Sequence, residues 1–269
     1  MGPASALSLE AARMCDAAAL LFGVLLVVLE IRHYITGGDV YRVSSTLTEI
    51  ALQVSAGLAI TIGLEWQRQR TRNVIHDVGA LIIAALTLLA IVFGLGLVGN
   101  PMLWPRPIGG TFFNLILLGY AIPSVLAVVL ALMTRELRPR GYSVVAAVVA
   151  VVLALAYLTL EVRTLYHGPV LTDGPTTDAE QYTYSAVWLT FGVLLLAVGY
   201  GLRAQSVRIA SAAVVVLTVL KVFFVDMRDL TGLWQALSVL GLGIVLLGIG
   251  WFYQRLLFPR RLQSSLTAS

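Results

Sequence analysis

The chain alternates long apolar blocks with short polar ones, and the apolar blocks show no polar face. "VVAAVVAVVLALAYLTL" (144–160) and "LSVLGLGIVLLGIG" (237–250) are apolar all round. A helix with no polar stripe is surrounded by other apolar groups, in a large core or in lipid. Crossing the hydrocarbon takes roughly 20 mostly apolar residues. Eight segments meet that length, near 14–33, 48–66, 77–99, 111–133, 142–162, 183–202, 208–226 and 233–254. The pattern predicts an all-α polytopic membrane helix bundle of about eight transmembrane helices. "GNPMLWPRPIGG" (99–110) and "GPVLTDGPTTD" (168–178) are rich in Pro, Gly and Asp and are expected as turns.

Charge gives the bundle an orientation. An even number of spans puts both termini on one side. Twelve of the 18 basic residues fall on that side, among them Arg13, Arg68, Arg135, Arg138, Arg203 and Arg255. The opposite side holds nine of the 14 acidic residues. The positive-inside rule therefore predicts both termini in the cytoplasm. Trp104, Trp188 and Trp234 fall near the outer boundary and Trp66 and Trp251 near the inner one, as an aromatic belt would.

Composition narrows the class. Hydrophobic residues make up 59% of the 269 and charged residues 12%, with a mean hydropathy of +0.90. A soluble domain carries about 25% charged residues, so lipid must supply most of the solvent. One cysteine, Cys15, permits neither an internal disulfide nor a thiolate metal cage. Three scattered histidines suggest no metal, and no cofactor or dinucleotide fingerprint is present. The net charge of +4 is explained by topology and needs no nucleic acid. The expected partners are the lipid bilayer and other envelope proteins. The first apolar segment has no small-residue cleavage site and is expected to remain as a span.

An internal duplication is also legible. "LEIR" (29–32) and "LEVR" (160–163) lie 131 residues apart, as do Glu49 and Glu180, and Arg72 and Arg203. "AALTLLAIVF" (84–93) and "VVLTVLKVFF" (215–224) align at the same offset. Two parallel four-helix repeats are expected, 1–138 and 139–269, related by a pseudo-twofold along the membrane normal. Lys221, the only lysine, and Asp226 replace Ala90 and Leu95 of the first copy, so a site built on them exists once.

Those residues belong to a wider polar constellation at the outer boundary. Glu161, Arg163 and His167 end the fifth helix, Glu180, Tyr182 and Tyr184 begin the sixth, and Lys221 and Asp226 end the seventh. The first-repeat counterpart consists of Glu30, Arg32 and Glu49. Charges at that depth cost several kcal/mol unless paired or hydrated. Lys221 and Asp226 are five residues apart, about 140° round an ideal helix. Lys221 is therefore expected to pair across helices, with Glu180 or Glu161. Each residue also has a plainer reading. Lys221 can snorkel, the Glu–Arg pairs can anchor helix ends, the histidines can sit in open loops, and His76 and Asp77 can start a solvated helix.

"LKVFFVDMRDLTGLWQALSVLGLGIVLLGIGWFYQR" (220–255), with "EQYTYSAVWLTFGVLLLAVGYGLR" (180–203) before it, resembles the C-terminal region of the DUF2339 family of predicted bacterial multipass membrane proteins. The shared features are Lys221, the apolar run to Asp226, and a Gly-containing last helix ending in Tyr–Gln–Arg. Members are usually longer, so the chain looks like a shortened relative, and Gln235 stands near a position where the family pattern has an arginine. The resemblance implies a multipass protein of the bacterial cytoplasmic (inner) membrane and brings no activity with it.

Three functions fit the residues. The first is a non-catalytic envelope component with an outward-facing polar ligand- or partner-binding pocket. The second is a transporter or channel for a small solute such as an anion. The third is a membrane enzyme acting on an envelope or lipid-linked substrate, with Glu180 or Glu161 as acid/base and Lys221 or Arg163 holding an anionic group. If the constellation has a task, Lys221→Ala and Glu180→Ala impair function without abolishing insertion. Complementation of a deletion strain, read beside the membrane-fraction level, checks this; wild-type behaviour of both variants removes the pocket.

Overall fold

The computed structural model describes residues 3–39, 41–42, 46–71, 73–110, 113–226, 240–241, 243–244 and 246–251. Among the described residues, seven helices are long and apolar enough to cross a membrane. They are α1 (Pro3–Thr36), α2 (Leu47–Thr71), α3 (Val74–Val98), α4 (Leu117–Thr134), α5 (Arg140–His167), α6 (Asp178–Gly201) and α7 (Gln205–Asp226). Of the eighth expected span, 233–254, only 240–241, 243–244 and 246–251 are described, and they are helical. Arg72, Arg228, Trp234, Gln235 and Arg255 lie outside the described residues.

These sequences are helical because hydrocarbon leaves the backbone no other partner than itself. That requirement overrides the weak helix propensity of the valines crowding α5. Most helices run past the apolar segments predicted for them, since counting apolar residues marks lipid and not the end of backbone pairing. The fourth starts late, at Leu117 instead of 111, because Gly109 and Asn114 first form a bridge with each other.

Among the described residues three stretches are π-helical: Ala90–Val98 at the end of α3, Leu117–Ala121 at the start of α4, and Val222–Asp226 at the end of α7. The second has a visible cause. Pro123 has no N–H and its ring crowds the carbonyl four residues back; the widened turn before it relieves both, with the Ile122 N–H reaching the Leu117 carbonyl.

The chain divides into two compact units, 1–174 and 175–269. In the first, α2 lies against α3 and α4, and α4 against α5. Val54, Leu58, Leu95, Ile116 and Leu153 form its core. Helices α2 and α3 approach closely at Gly57, where a Cβ would come within 2.3 Å of Thr87 Oγ1. The two loops expected as turns bond to each other: Pro107 pairs with Val170, and the Ile108 N–H donates to Pro169 O at 2.9 Å. Ile108 and Leu171 are buried beneath them. In the second unit α6 packs along α7, and Gly192 lets the Val215 side chain in.

At the arginine-rich end of the first unit lies a charge network that the sequence reading overlooked. Glu65 is fully buried. Arg138 Nε donates to its Oε1 at 2.9 Å, and Arg68 Nε is charge-paired with Oε2 at 3.2 Å without the alignment of a hydrogen bond. Both arginines reach Asp77 as well, at 2.6 and 3.3 Å. Arg68 also donates to Leu137 O at 3.0 Å, which fastens the α4–α5 turn to α2. Asp77, expected as a solvated helix start, does stand in the first turn of α3, yet it is tied to two arginines.

Removing one partner from a buried ion pair costs about 3–5 kcal/mol, whereas an exposed pair contributes about 0–1 kcal/mol. Glu65→Ala is therefore expected to lower the thermal unfolding temperature of the detergent-solubilised protein sharply. Arg135→Ala, which breaks only the exposed pair with Glu136, should leave it nearly unchanged.

Candidate functional site

The second unit gathers its polar side chains at the end away from the arginines, between the start of α6 and the end of α7. Thr177 caps α6, its hydroxyl accepting from the Glu180 N–H at 3.3 Å. One turn on, the Tyr184 hydroxyl donates to Glu180 Oε1 at 2.5 Å. Facing it, Lys221 Nζ donates to Asp226 Oδ1 at 2.6 Å, to Ser185 Oγ at 2.7 Å and to the Gln181 carbonyl at 2.9 Å. Ser185 passes its own hydrogen to Asp226 Oδ2. The Tyr184 ring lies 6.0 Å from the ammonium, at the outer limit of a cation–π contact.

The direct Lys221–Asp226 pair corrects the expectation drawn from an ideal helix. The α-helical spacing would put the two side chains well apart. The π turn over Val222–Asp226 takes more residues to complete a circuit and closes its bonds from i to i+5. Residue five on is brought back beneath residue zero, and the pair forms within one helix. The expectation that Lys221 reaches Glu180 or Glu161 is thereby replaced. Snorkelling is also set aside: the Lys221 side chain is 12% exposed and that of Asp226 only 2%.

Lys221 has three N–H donors and three acceptors. It has no spare proton with which to hold an anion, and as a paired ammonium it has no lone pair with which to act as a base. Ser185 and the Gln181 carbonyl were missed in the sequence. The signal was present, since Gln181 and Ser185 are four apart and stand on one helix face.

The remaining candidates lie in the first unit. Arg163 is buried and donates to the carbonyls of Leu171, at 2.9 Å, and Gly174, at 3.1 Å, so it shapes the loop after α5. Glu161 accepts from Asn114 at 2.9 Å. Helix α5 continues to His167, whose half-buried ring lies against Gly174. Arg32 pairs with the buried Glu49 at 3.0 Å and donates to Arg42 O. Glu30 and His33 are exposed. Within the described residues no group of three or more metal-ligating side chains converges.

Several local features stand 131 residues apart. Helices α2 and α6 start at Leu47 and Asp178, α3 and α7 at Val74 and Gln205, while α1 and α5 end at Thr36 and His167. Thr46 accepts from the Glu49 N–H at 3.3 Å, as Thr177 does from Glu180. Gln53 donates to Glu49 as Tyr184 does to Glu180. "TLTE" (46–49) and "TDAE" (177–180) both carry the Thr-x-x-Glu signature of a helix start.

Helices of this length and hydropathy, with their charges confined to the ends, define an integral membrane protein. The chain belongs to the DUF2339 family, described as predicted membrane protein, which matches residues 3–256 of the 269. The likeness first seen in the last third thus extends over nearly the whole sequence. No curated protein and no solved structure matches the chain.

Lys221→Met strands a carboxylate that is almost wholly buried, at a cost of about 3–5 kcal/mol. Lys221→Arg does not rescue it, because a planar guanidinium cannot point its donors at three acceptors gathered round one ammonium. Thermal unfolding of the two purified variants checks both statements; a wild-type midpoint for Lys221→Arg contradicts the second.

Proposed function

We propose that the chain is a non-catalytic component of the bacterial cytoplasmic membrane, with both termini cytoplasmic and two parallel four-helix repeats, 1–138 and 139–269. Its outward end binds a ligand or partner over the first turns of α6 and the last turn of α7. The observation that carries this reading is the saturation of the Lys221 ammonium by Asp226, Ser185 and the Gln181 carbonyl. A group so engaged sets geometry and leaves little room for acid–base chemistry. It fixes two helix ends against each other and presents Tyr182, which is 59% exposed, beside them. A buried ion pair is seldom the most stable choice for such a place, and ionisable groups at membrane depth mark a task there. Recurrent starts and caps at an offset of 131 support the repeats.

The hydroxyls along α7 speak against a conduction path through this unit. Ser211 donates to Gly192 O at 2.7 Å and Thr218 to Val214 O at 2.8 Å, so each is turned to backbone and offers a passing ion little.

The test is the double variant Lys221→Met/Asp226→Leu, which removes both charges and strands neither. It is expected to accumulate in the membrane with near-wild-type thermal stability and yet fail to complement a deletion strain. Full complementation would reduce the cluster to scaffolding. Proteoliposomes holding the wild type are expected to be no more permeable to chloride or phosphate than empty vesicles, and a flux would favour a channel.

A further inference from the structure

The first unit contains an open cleft of about 370 Å³. Its walls come from α2, α3, α4 and α5, through Leu58, Ala85, Leu88, Leu130, Tyr142 and Val149 among others. Of its lining residues only Tyr142 has a polar side chain. The Tyr142 ring lies beside Arg138, 5.6 Å from its guanidinium, and its hydroxyl is shielded from solvent with no hydrogen-bond partner among the described residues. The trough itself is therefore apolar throughout, suited to hydrocarbon and to no polar ligand.

The cleft has a direction. On α5 its lining begins at Gly141, beside the arginine-rich turn, and runs to Val149, about 12 Å into the bundle at the helical rise. One leaflet of hydrocarbon is about 15 Å deep. The polar mouth is also selective in charge. Arg68 and Arg138 are neutralised by Glu65 and Asp77, and Arg135 pairs with Glu136. Arg140, the residue before the lining begins, is exposed and has no ion pair among the described residues.

From this juxtaposition we infer that the cleft is a binding site for one anionic phospholipid of the leaflet on the arginine side. An acyl chain fills the apolar trough. The phosphate-bearing headgroup lies against Arg140. The inference concerns a different unit from the proposed outer site and stands or falls without it.

The experiment uses the full chain in neutral detergent, titrated with dioleoyl phosphatidylglycerol or dioleoyl phosphatidylcholine and read by native mass spectrometry and thermal unfolding. One arginine at the membrane surface corresponds to about a fivefold preference for the anionic lipid. The wild type is expected to show that preference and Arg140→Gln to lose it while still retaining both lipids. Ala85→Phe, which fills the trough, is expected to retain neither. Equal retention of the two lipids by the wild type overturns the inference. So does a preference that survives Arg140→Gln, or undiminished retention by a folded Ala85→Phe. Should Ala85→Phe fail to fold, Arg140→Gln, a change at an exposed position, decides alone.

Discussion

Hydrocarbon offers no water to complete a hydrogen bond, and most features of this molecule follow from that. A polar group placed among the spans must find its partner in the protein or go without. Thr61, Thr134 and Thr218 each return their hydroxyl to a carbonyl four residues back on their own helix. Ser124 and Ser211 reach a neighbouring helix instead, at Ala150 O and Gly192 O. The same rule governs the charges. Glu65 sits between two arginines, and the Lys221 ammonium is enclosed by three oxygens. What distinguishes the two clusters is where they act: one ties a turn to the body of the first unit, the other fixes two helix ends of the second.

The π turns are where sequence, backbone and chemistry meet most closely. Such widenings interrupt an otherwise uniform helix and often accompany functional sites. Before Pro123 the widening accommodates a missing donor. At the end of α7 it turns Asp226 toward Lys221, so a change in backbone winding creates the ion pair. The equivalent stretch at the end of α3 is also π-helical, but there the positions of Lys221 and Asp226 are held by Ala90 and Leu95. On the repeat reading, the winding is shared by both copies and the charges stand in one of them.

The class of the fold was open to reading because hydropathy acts over whole segments. Seven spans, their approximate positions and the all-α architecture come from runs of residues in which no single one matters. Side-chain geometry was less accessible. The exclusion of a Lys221–Asp226 pair assumed 3.6 residues per turn, and no local signal in "KVFFVD" announces a departure from that value. Glu65 was passed over because it lies in "GLEWQRQR", where a tryptophan and two arginines suggested a boundary (the carboxylate faces inward instead). The capping signatures in "TLTE" and "TDAE" mark both helix starts, although the sequence reading did not draw on them. Arg163 shows the opposite case, since nothing in its own segment indicates that it will hold loop carbonyls eight and eleven residues away.

The compactness of the Lys221–Asp226 pair has an electrical consequence. A unit charge carried across the whole membrane does work of about 2.3 kcal/mol for every 100 mV. Two opposite charges held 2.6 Å apart feel that field as a small dipole and not as a net load. An energised bilayer therefore gains almost no lever on this pair, and the geometry it imposes on the two helix ends is set independently of the membrane voltage.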